Sequence, residues 1–330
     1  MRRRDLRRRD FLAMSAVTVA AGISTSNSAS AQAAAWPARP VRLVVPYAPG
    51  GASDTIARPW AEALSQALGQ QFVVENRGGA SGMIGSEAVM KSPPDGYTFL
   101  LTPCAALTIL PLMQKTPYDP QKSFAPVGRI GDTISGFVIH PAVGAKNFKE
   151  MVDYAKANPG KMAYGSAGNA SITHFRLEML KYRAGVDILH VPYRGSADAL
   201  NDLLANNIQM MAEINPLPHV KAGKLILLSI NHPRRSPEFP DTPTLTECGY
   251  PNSDMISWYA IWAPAGTPPE IIQKFNAAIA KIGSGGEMKN KLRIMSAVDV
   301  VDTPEQTGKF LADELQRNAE LIKAANIRLE

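Results

Sequence analysis

The sequence predicts a protein of the α/β class, built from two domains that are joined by two crossings of the chain. Short apolar runs alternate with amphipathic stretches, which is typical of strands followed by covering helices. This rhythm starts at Val41 and begins again near Phe137. After Pro251 a further strand and several helices follow. Because these helices need a sheet to cover, the chain is expected to return to its first domain.

Residues 1–31 are predicted to be an export signal rather than part of a domain. They have an Arg-rich start, an apolar run too short for a membrane anchor, and a small-residue end. Arg8 and Arg9 resemble the twin-arginine export pattern, and general Sec export is the alternative. Cleavage near Ala31 is expected to release a freely diffusing protein into the periplasm.

Composition and charge disfavour several classes of function. The signal contains six Arg and two Asp, so its removal lowers the formal net charge from +6 to +2. The remaining Lys and Arg are interleaved with acids, so no nucleic-acid partner is expected. The five His show no metal-ligand spacing, and no metal or cofactor is expected. Cys104 and Cys248 are preferentially interpreted as separate thiols, although an oxidising compartment permits a disulfide.

The first domain is predicted to consist of strand, turn and helix units. Residues 41–45 form a buried strand, and a helix follows that Ser53 or Asp54 caps. A second strand at 71–75 leads through a Gly-rich turn into a second helix, and a third strand spans 96–102. Right-handed crossovers are expected between these strands.

The second domain is predicted to repeat the same unit after a helix that Asn147 caps. Helices are expected from about residue 172 to 182 and from 197 to 204. The strands between and around them are expected at 162–165, 187–191, 208–212 and 224–230. Domain 1 then covers 36–135 and 255–330, and domain 2 covers 136–254. The crossings near 135 and 255 act as a hinge.

A glycine-rich turn joins the first strand to the first helix, in the stretch "VPYAPGGASD". A phosphate loop needs a Lys after its last glycine, and a dinucleotide fingerprint needs Gly-x-Gly-x-x-Gly; this stretch has neither. A nucleophile elbow needs Gly-x-Ser-x-Gly, which Ser53, Ser81 and Ser166 do not satisfy. Two interpretations remain. The helix start binds an anion through its free N–H groups, or it is a simple capped turn.

A second stretch, "YGSAGNASITH" at residues 164–174, is built in the same way from a strand end, small residues and a helix start. Two such loops, one in each domain, indicate a hinged cleft that closes on a small negative ligand. Neither loop contains Lys or Arg, which favours a carboxylate over a phosphate.

The ordered motifs resemble the substrate-binding receptors of tripartite tricarboxylate transporters, the Bug family of periplasmic solute-binding proteins. The matching segments include "WPARPVRLVVPYAPGGASDTIAR", "VVENRGGASGMIGSEAV", "YGSAGNASITHF" and "SWYAIWAPAGTPPEII", and they cover essentially the whole mature chain. The resemblance implies a two-domain flytrap of the type II periplasmic binding protein class, without cofactor or catalysis. The implied partners are a small organic acid and permease subunits of the TctA and TctB type, and the receptor is expected to be a monomer.

The resemblance also implies that one carboxylate of the ligand is held by the two strand-to-helix loops, partly through water. The first loop contributes Tyr47, Ala48, Pro49, Gly50, Gly51, Ala52, Ser53 and Asp54. The second contributes Ser166, Ala167, Gly168, Asn169, Ser171 and His174. For His174, hydrogen bonding within the helix start is preferred over ligand contact. Tyr193 belongs to a further loop beside the pocket, and Thr102 and Glu213 lie at strand ends near it.

Two departures from the family pattern concern the far end of the ligand. After Thr102 the chain is mostly apolar, and Glu213 stands where the family usually has an Asp followed by a small polar residue. We expect a ligand with an apolar aliphatic or aromatic body, with or without a second carboxylate. A Glu213 that faces the cleft favours an amino group instead, but a solvated Glu213 is the preferred interpretation.

Two other functions stay open. One is a receptor that presents its closed form to a signalling protein and has no role in transport. The other is a hydrolase or isomerase on the same fold, which uses Ser53, Ser166 or His174. This enzyme requires an acid–base partner within hydrogen-bond reach of its nucleophile.

Overall fold

The computed structural model describes residues 36–251, 253, 255–298, 300–325 and 327. The predicted export signal, residues 1–31, therefore lies outside the described residues. Within the described part of the chain, no helix is both long enough and apolar enough to cross a bilayer.

Strands and helices alternate along the chain, as the sequence predicts. The strands are β1 Val41–Val45, β2 Phe72–Asn76, β3 Thr98–Pro103, β4 Phe124–Thr133, β5 Ser135–Ile139, β6 Ala163–Ser166, β7 Leu189–Pro192, β8 Met210–Glu213, β9 Ile226–Asn231, β10 Ser257–Pro264 and β11 Ala297–Val298. The helices are α1 Ala52–Leu68, α2 Met83–Met90, α3 Ala105–Thr108, α4 Leu110–Met113, α5 Phe148–Ala157, α6 Ile172–Ala184, α7 Ser196–Leu204, α8 Leu217–Lys221, α9 Pro269–Ser284, α10 Gly286–Ile294 and α11 Pro304–Ala325.

The strands form two sheets. The first has the order β11-β4-β10-β3-β1-β2, and the second has the order β7-β6-β8-β5-β9. Strand β1 pairs in parallel with β2 and β3, whereas β10 runs antiparallel between β3 and β4. In the second sheet β6 is parallel to β7 and β8. In each sheet, helices follow the parallel strands, so the strand ends that precede α1 and α6 are also helix starts.

The chain passes between the sheets twice. Strand β4 ends at Thr133 in the first sheet, and β5 begins at Ser135 in the second. The return lies between Asn231, the end of β9, and Ser257, the start of β10. The predicted two-domain α/β fold with crossings near 135 and 255 is therefore confirmed, while the residue bounds of the two domains stay predictions.

Strand β4 was missed by the sequence analysis, although it is ten residues long. It contains Pro126, Gly128 and Gly131, and proline and glycine both weaken the local strand signal. Antiparallel pairing along β10, with two register shifts, holds these residues in the sheet. Tertiary pairing rather than local propensity therefore determines this strand.

The C-terminal helices cover the first sheet, as expected from the sequence. Phe275 of α9 packs edge-on against Phe99 of β3, with ring centroids 4.7 Å apart, and it also contacts Trp36 and Phe72. All four rings are buried. Burying large aromatic side chains contributes strongly to core stability, so this cluster ties the last third of the chain to its beginning.

Candidate functional site

The first predicted loop enters α1 two or three residues earlier than the sequence suggested. Gly50 has φ +76°, Gly51 is the N-cap with extended backbone, and the helix begins at Ala52. The prediction that Ser53 or Asp54 caps the helix is therefore wrong. The reason is the glycine pair, because the turn that it allows brings both side chains inside the first helical turn.

Asp54 stabilises this turn by accepting hydrogen bonds through its side chain. Its Oδ2 accepts hydrogen bonds from the Gly50 N–H at 3.0 Å and from the Arg58 Nε–H at 2.8 Å. Burial raises the pKa of Asp54, but the hydrogen bonds from Arg58 and Gly50 outweigh it and hold this pKa below its usual value. Asp54 is thus an ionised group that is already engaged in shaping the loop.

Helix α6 begins at Ile172, where the sequence predicts a helix start. Ser171 is the N-cap of α6, and its Oγ accepts a hydrogen bond from the His174 N–H at 3.3 Å. His174 Nδ1 in turn accepts from the Ala170 N–H at 3.0 Å. The expected local role of His174 at the helix start is confirmed.

Several N–H groups of the second loop are used inside the loop. The Ala167 N–H donates to Thr173 Oγ1, and the Gly168 N–H donates to Ser166 Oγ, both at 3.2 Å. The first N–H groups of a helix have no partner within the helix. The His174 N–H already donates to Ser171 Oγ, which also lies 3.1 Å from Thr173 Oγ1. The donors that this loop can offer a ligand are therefore the N–H groups of Ile172 and Thr173, and the Ser171 hydroxyl when it turns away from Thr173.

Both helix starts border one cavity between the domains. Its volume open to the centres of water molecules is ≈ 20 Å³, whereas a single water needs about 10–15 Å³ by this measure. The lining residues are Tyr47, Ala48, Gly51, Ala52, Ser53, Pro103, Ala105, Ala167, Ser171, Ile172, Ser196, Glu213 and Tyr259. The described lining includes no Lys or Arg, so the positive partial charges that border this cavity directly are those of the two helix starts.

The structure brings about half of the predicted site residues to this cavity. Those that line it are Tyr47, Ala48, Gly51, Ala52, Ser53, Ala167, Ser171 and Glu213. The others lie beside or behind it: Pro49, Gly50, Asp54, Thr102, Ser166, Gly168, Asn169, His174 and Tyr193. Ligand contact by any of them stays a prediction.

Five lining residues were not among the predicted ligand contacts. Pro103 and Ala105 belong to the apolar stretch after Thr102, which the sequence analysis placed at the far end of the ligand, and three others were missed. Ile172 is the first residue of α6, Ser196 is the first residue of α7, and Tyr259 lies on β10. Ser196 belongs to the "VPYRGS" segment, which was recognised as a loop near the pocket without a role for its serine. Tyr259 carries no local signal, because its place depends on the antiparallel insertion of β10 between β3 and β4.

The two domains touch closely around the cavity. The Ala52 N–H of α1 donates a hydrogen bond to Ser196 Oγ of the other domain at 3.2 Å. A Cβ added at Gly195 would lie 3.2 Å from the Ala48 Cβ. Glu238 also forms ion pairs with Arg293 from the first domain and with Lys221 from its own. The structure is therefore a closed form, and a ligand of several carbon atoms enters only when the domains separate.

Glu213 ends strand β8 and lines the cavity, with only 5% of its surface exposed. The preferred interpretation as a solvated side chain is therefore wrong, because β8 extends one residue beyond its predicted end and carries Glu213 into the interior. Burial raises the pKa of Glu213, and the positive charge of Arg176 partly counteracts this.

Arg176 is a buried charge that the sequence analysis did not identify. It lies on α6 and is 1% exposed. Its guanidinium donates two hydrogen bonds to the Met255 carbonyl, at 2.9 and 2.6 Å, and one to the Ala212 carbonyl at 3.0 Å. Met255 precedes β10 at the second crossing, so Arg176 ties the hinge to the helix whose start borders the cavity.

One Ser–His contact bears on the enzyme alternative. Ser166 Oγ and His190 Nε2 lie 2.6 Å apart. However, Ser166 is fully buried and is not part of the cavity lining. Burial and the neighbouring His174 lower the pKa of His190 to about 4. The pair is consequently a packed hydrogen bond behind the second loop, out of reach of a molecule in the cavity.

The cysteines agree with the preferred interpretation as separate thiols. Cys104 is buried and Cys248 is half-buried, and neither forms a disulfide. Within the described ranges, no three His, Cys, Asp or Glu side chains are grouped closely enough to hold a metal ion.

A second and larger groove lies on the other side of the first loop. Its volume, by the same measure as the cavity, is ≈ 490 Å³, and it runs between Gly50 and Thr55 on one domain and Leu217 and Lys221 on the other. This groove is more open than the cavity, and of the two helix starts it borders only that of α1, at Gly50 and Thr55. We assign the ligand site to the smaller cavity because both helix starts border it.

Comparison with known proteins places this geometry in a family. The model of the tripartite tricarboxylate transporter family receptor, TctC, matches residues 56–327. The protein BugT of Bordetella pertussis is 37% identical over 314 residues, which cover 94% of this chain and 95% of BugT. The chain therefore belongs to the tripartite tricarboxylate transporter receptor family, whose members are periplasmic solute-binding receptors.

Solved structures agree with this assignment. The periplasmic binding protein BugD matches with a TM-score of 0.85 and 32% identity, over 89% of this chain and 100% of BugD. An R. palustris protein with adipate bound matches with a TM-score of 0.86 and 32% identity, over 89% of this chain and 99% of the other. The expected family and two-domain fold are thereby confirmed, and a related receptor binds a carboxylate.

Proposed function

We propose that this protein is exported to the periplasm, with cleavage near Ala31, and there captures a small organic carboxylate between the starts of α1 and α6. It then delivers the ligand, as a monomer, to the membrane permease of a tripartite tricarboxylate transporter. The capture step is a change from an open to a closed arrangement of the two domains around the acid.

The observation that carries this proposal is the meeting of two helix starts at one cavity. Each helix start presents N–H groups and a partial positive charge, so the pair suits one carboxylate group that accepts hydrogen bonds from both domains. The absence of Lys and Arg from the described lining favours this anion over a phosphate, which carries more charge. The adipate found in the related structure supports the same chemistry.

Receptor function is favoured over catalysis by the position of the hydrolase candidates. Ser53 lines the cavity without a His beside it in the described lining. Its side chain hydrogen-bonds Tyr259, and the described hydrogen bond of the Glu213 carboxyl group is to the Ile214 N–H rather than to Ser53. Ser166 has a His partner and is shut off from the cavity. Neither arrangement gives a nucleophile that has both a base and access to a ligand.

A binding screen tests the proposal. The purified protein is mixed with mono- and dicarboxylates of two to eight carbons, and with the matching amides and phosphates as controls. Binding is measured by thermal shift and then by calorimetry. A carboxylate at a hundred times its Kd is expected to stabilise the protein by about 2.7 kcal/mol. Binding of amides or phosphates with no response to any carboxylate contradicts the proposed site.

A further inference from the structure

Glu213 places a carboxyl group in a cavity whose helix starts attract anions. It lines the same cavity as Gly51 and Ser53 at the start of α1 and Ser171 at the start of α6. Its Oε2 accepts a hydrogen bond from the Ile214 N–H at 3.2 Å. A buried carboxyl group in a ligand cavity is available for direct contact with whatever occupies the space.

The groups around Glu213 do not neutralise it by contact. The positive charge of Arg176 favours the ionised form of Glu213. The Arg176 guanidinium donates its described hydrogen bonds to the Met255 and Ala212 carbonyls, so the oxygens of Glu213 stay available to a ligand. Among the residues that the structure describes, no Lys, Arg or His forms an ion pair with Glu213. The phenols Tyr47 and Tyr259 also interact with it, and their pKa values are raised by burial, so both are neutral.

The helix starts and Glu213 favour opposite charges on the two ends of a ligand. At the helix starts a carboxylate is stabilised. Beside Glu213 a second carboxylate is destabilised, because two like charges in a buried site repel and one of them must take up a proton. An ammonium group beside Glu213 has the opposite effect, since a buried carboxylate gains most from a cation that also donates hydrogen bonds.

The remaining walls suit a short aliphatic connection between the two ends. Pro103 and Ala105 after β3, and Ile172 on α6, contribute apolar surface to the lining. They offer no side-chain donor for a second carboxylate. Among the described lining residues, Glu213 is the one whose side chain can carry a charge.

We propose that Glu213 makes this receptor select carboxylates whose other end carries an ammonium group, and makes it reject dicarboxylates. The inference rests on the proposed carboxylate site and specifies its ligand class. The proposed ligand class excludes adipate, the dicarboxylate that the related R. palustris protein holds.

Matched ligands test the inference on the unmodified protein. Each set has one chain length and three end groups: 6-aminohexanoate, hexanoate and adipate, and then 4-aminobutyrate, butyrate and succinate. In the set of the better length, the amino acid is expected to bind at least about tenfold more tightly than the dicarboxylate, as measured by calorimetry at pH 7.5. Tighter or equal binding of the dicarboxylate overturns the inference while leaving the proposed carboxylate site intact.

The Glu213→Gln variant tests whether this residue is responsible. The change keeps the shape of the side chain and removes its charge, so the preference for the amino acid is expected to fall by about tenfold and the dicarboxylate to gain affinity. Glu314→Gln is the matched control, because Glu314 is equally buried but lies outside the cavity lining, next to Trp258. An unchanged preference in a folded Glu213→Gln protein overturns the inference. Failure of every carboxylate to bind the unmodified protein overturns both proposals.

Discussion

At the scale of single residues, Gly51 lies where the ligand cavity and the domain contact coincide. A Cβ added there would be 3.3 Å from Ser196 Oγ and 3.5 Å from the Ala48 carbonyl oxygen. Its φ of −80° is ordinary, so a side chain is accepted by the backbone and pushes into the cavity instead. Gly51→Val is expected to weaken carboxylate binding by roughly tenfold or more, which corresponds to about 1.4 kcal/mol.

Calorimetry on the folded variant measures this effect, and Gly286→Val is the matched control. Gly286 is exposed at the start of α10, and a Cβ there meets nothing within 4 Å. Gly50 is a less suitable test position, because its φ of +76° strains the backbone of any variant. Equal affinities of the Gly51→Val and unmodified proteins would show that the loop is only a turn.

His190 gives a prediction about pH. Its pKa falls from 6.5 to about 4 on folding, mainly because of burial and then because of His174. The unfolded chain therefore binds a proton first as the pH falls, and this residue lowers the free energy of unfolding between about pH 6.5 and 4. His190→Gln is expected to flatten that part of the pH profile. Urea unfolding at pH 7, 5.5 and 4.5 measures it, and an unchanged slope contradicts the assignment.

At the scale of elements, features that depend on neighbouring residues in the sequence could be predicted, whereas features that depend on contacts between distant segments could not. The cap of α6 by Ser171 was predictable, because a serine before a helix satisfies a nearby N–H whatever surrounds it. The wrong cap of α1 has a local cause too, since the left-handed turn at Gly50 was not foreseen. By contrast, β4 is held by β10, and Ser196 reaches the cavity from the other domain. The spacing of residues along the chain gives no information about either contact.

Arg176 links α6 to the second crossing, and its removal tests that link. Arg176→Met deletes the hydrogen bonds to the Met255 and Ala212 carbonyls, while Asn231 still donates to the Met255 carbonyl at 2.7 Å. We expect the free energy of unfolding to fall by about 2 kcal/mol. Arg183→Met, at an exposed position of the same helix, is the control in urea unfolding. Equal losses for the two variants would contradict the role given to Arg176.

At the scale of the whole molecule, closure of the two domains is the motion that we propose for ligand capture. The Ala52 N–H reaches Ser196 Oγ only when the domains are together. Ser196→Ala removes this acceptor and is expected to cost the closed form about 1 kcal/mol, which weakens carboxylate binding roughly fivefold. Ser284→Ala, whose hydroxyl bonds locally within α9, is the control. Calorimetry measures the affinity, and an unchanged Kd would mean that this bond does not hold the closed form.

The division into two domains was the feature most readily predicted from the sequence. The side chains that line the ligand cavity were the least predictable. Two separate strand-turn-helix rhythms are visible along the chain, so the two-domain fold follows from them. The direction of one side chain at a strand end does not follow, because a shift of one residue moves it to the other face of the sheet. Glu213 illustrates this, since β8 is one residue longer at this end than predicted.

The central claim is that one carboxylate binds between the starts of α1 and α6, and a crystal structure of the protein with a carboxylate from the binding screen tests it most directly. The account predicts carboxylate oxygens within about 3.2 Å of first-turn N–H groups of α1 on one side, and of the Ser171 hydroxyl or first-turn N–H groups of α6 on the other. A carboxylate bound instead in the groove beside Leu217 and Lys221, with the helix starts unused, would contradict the account.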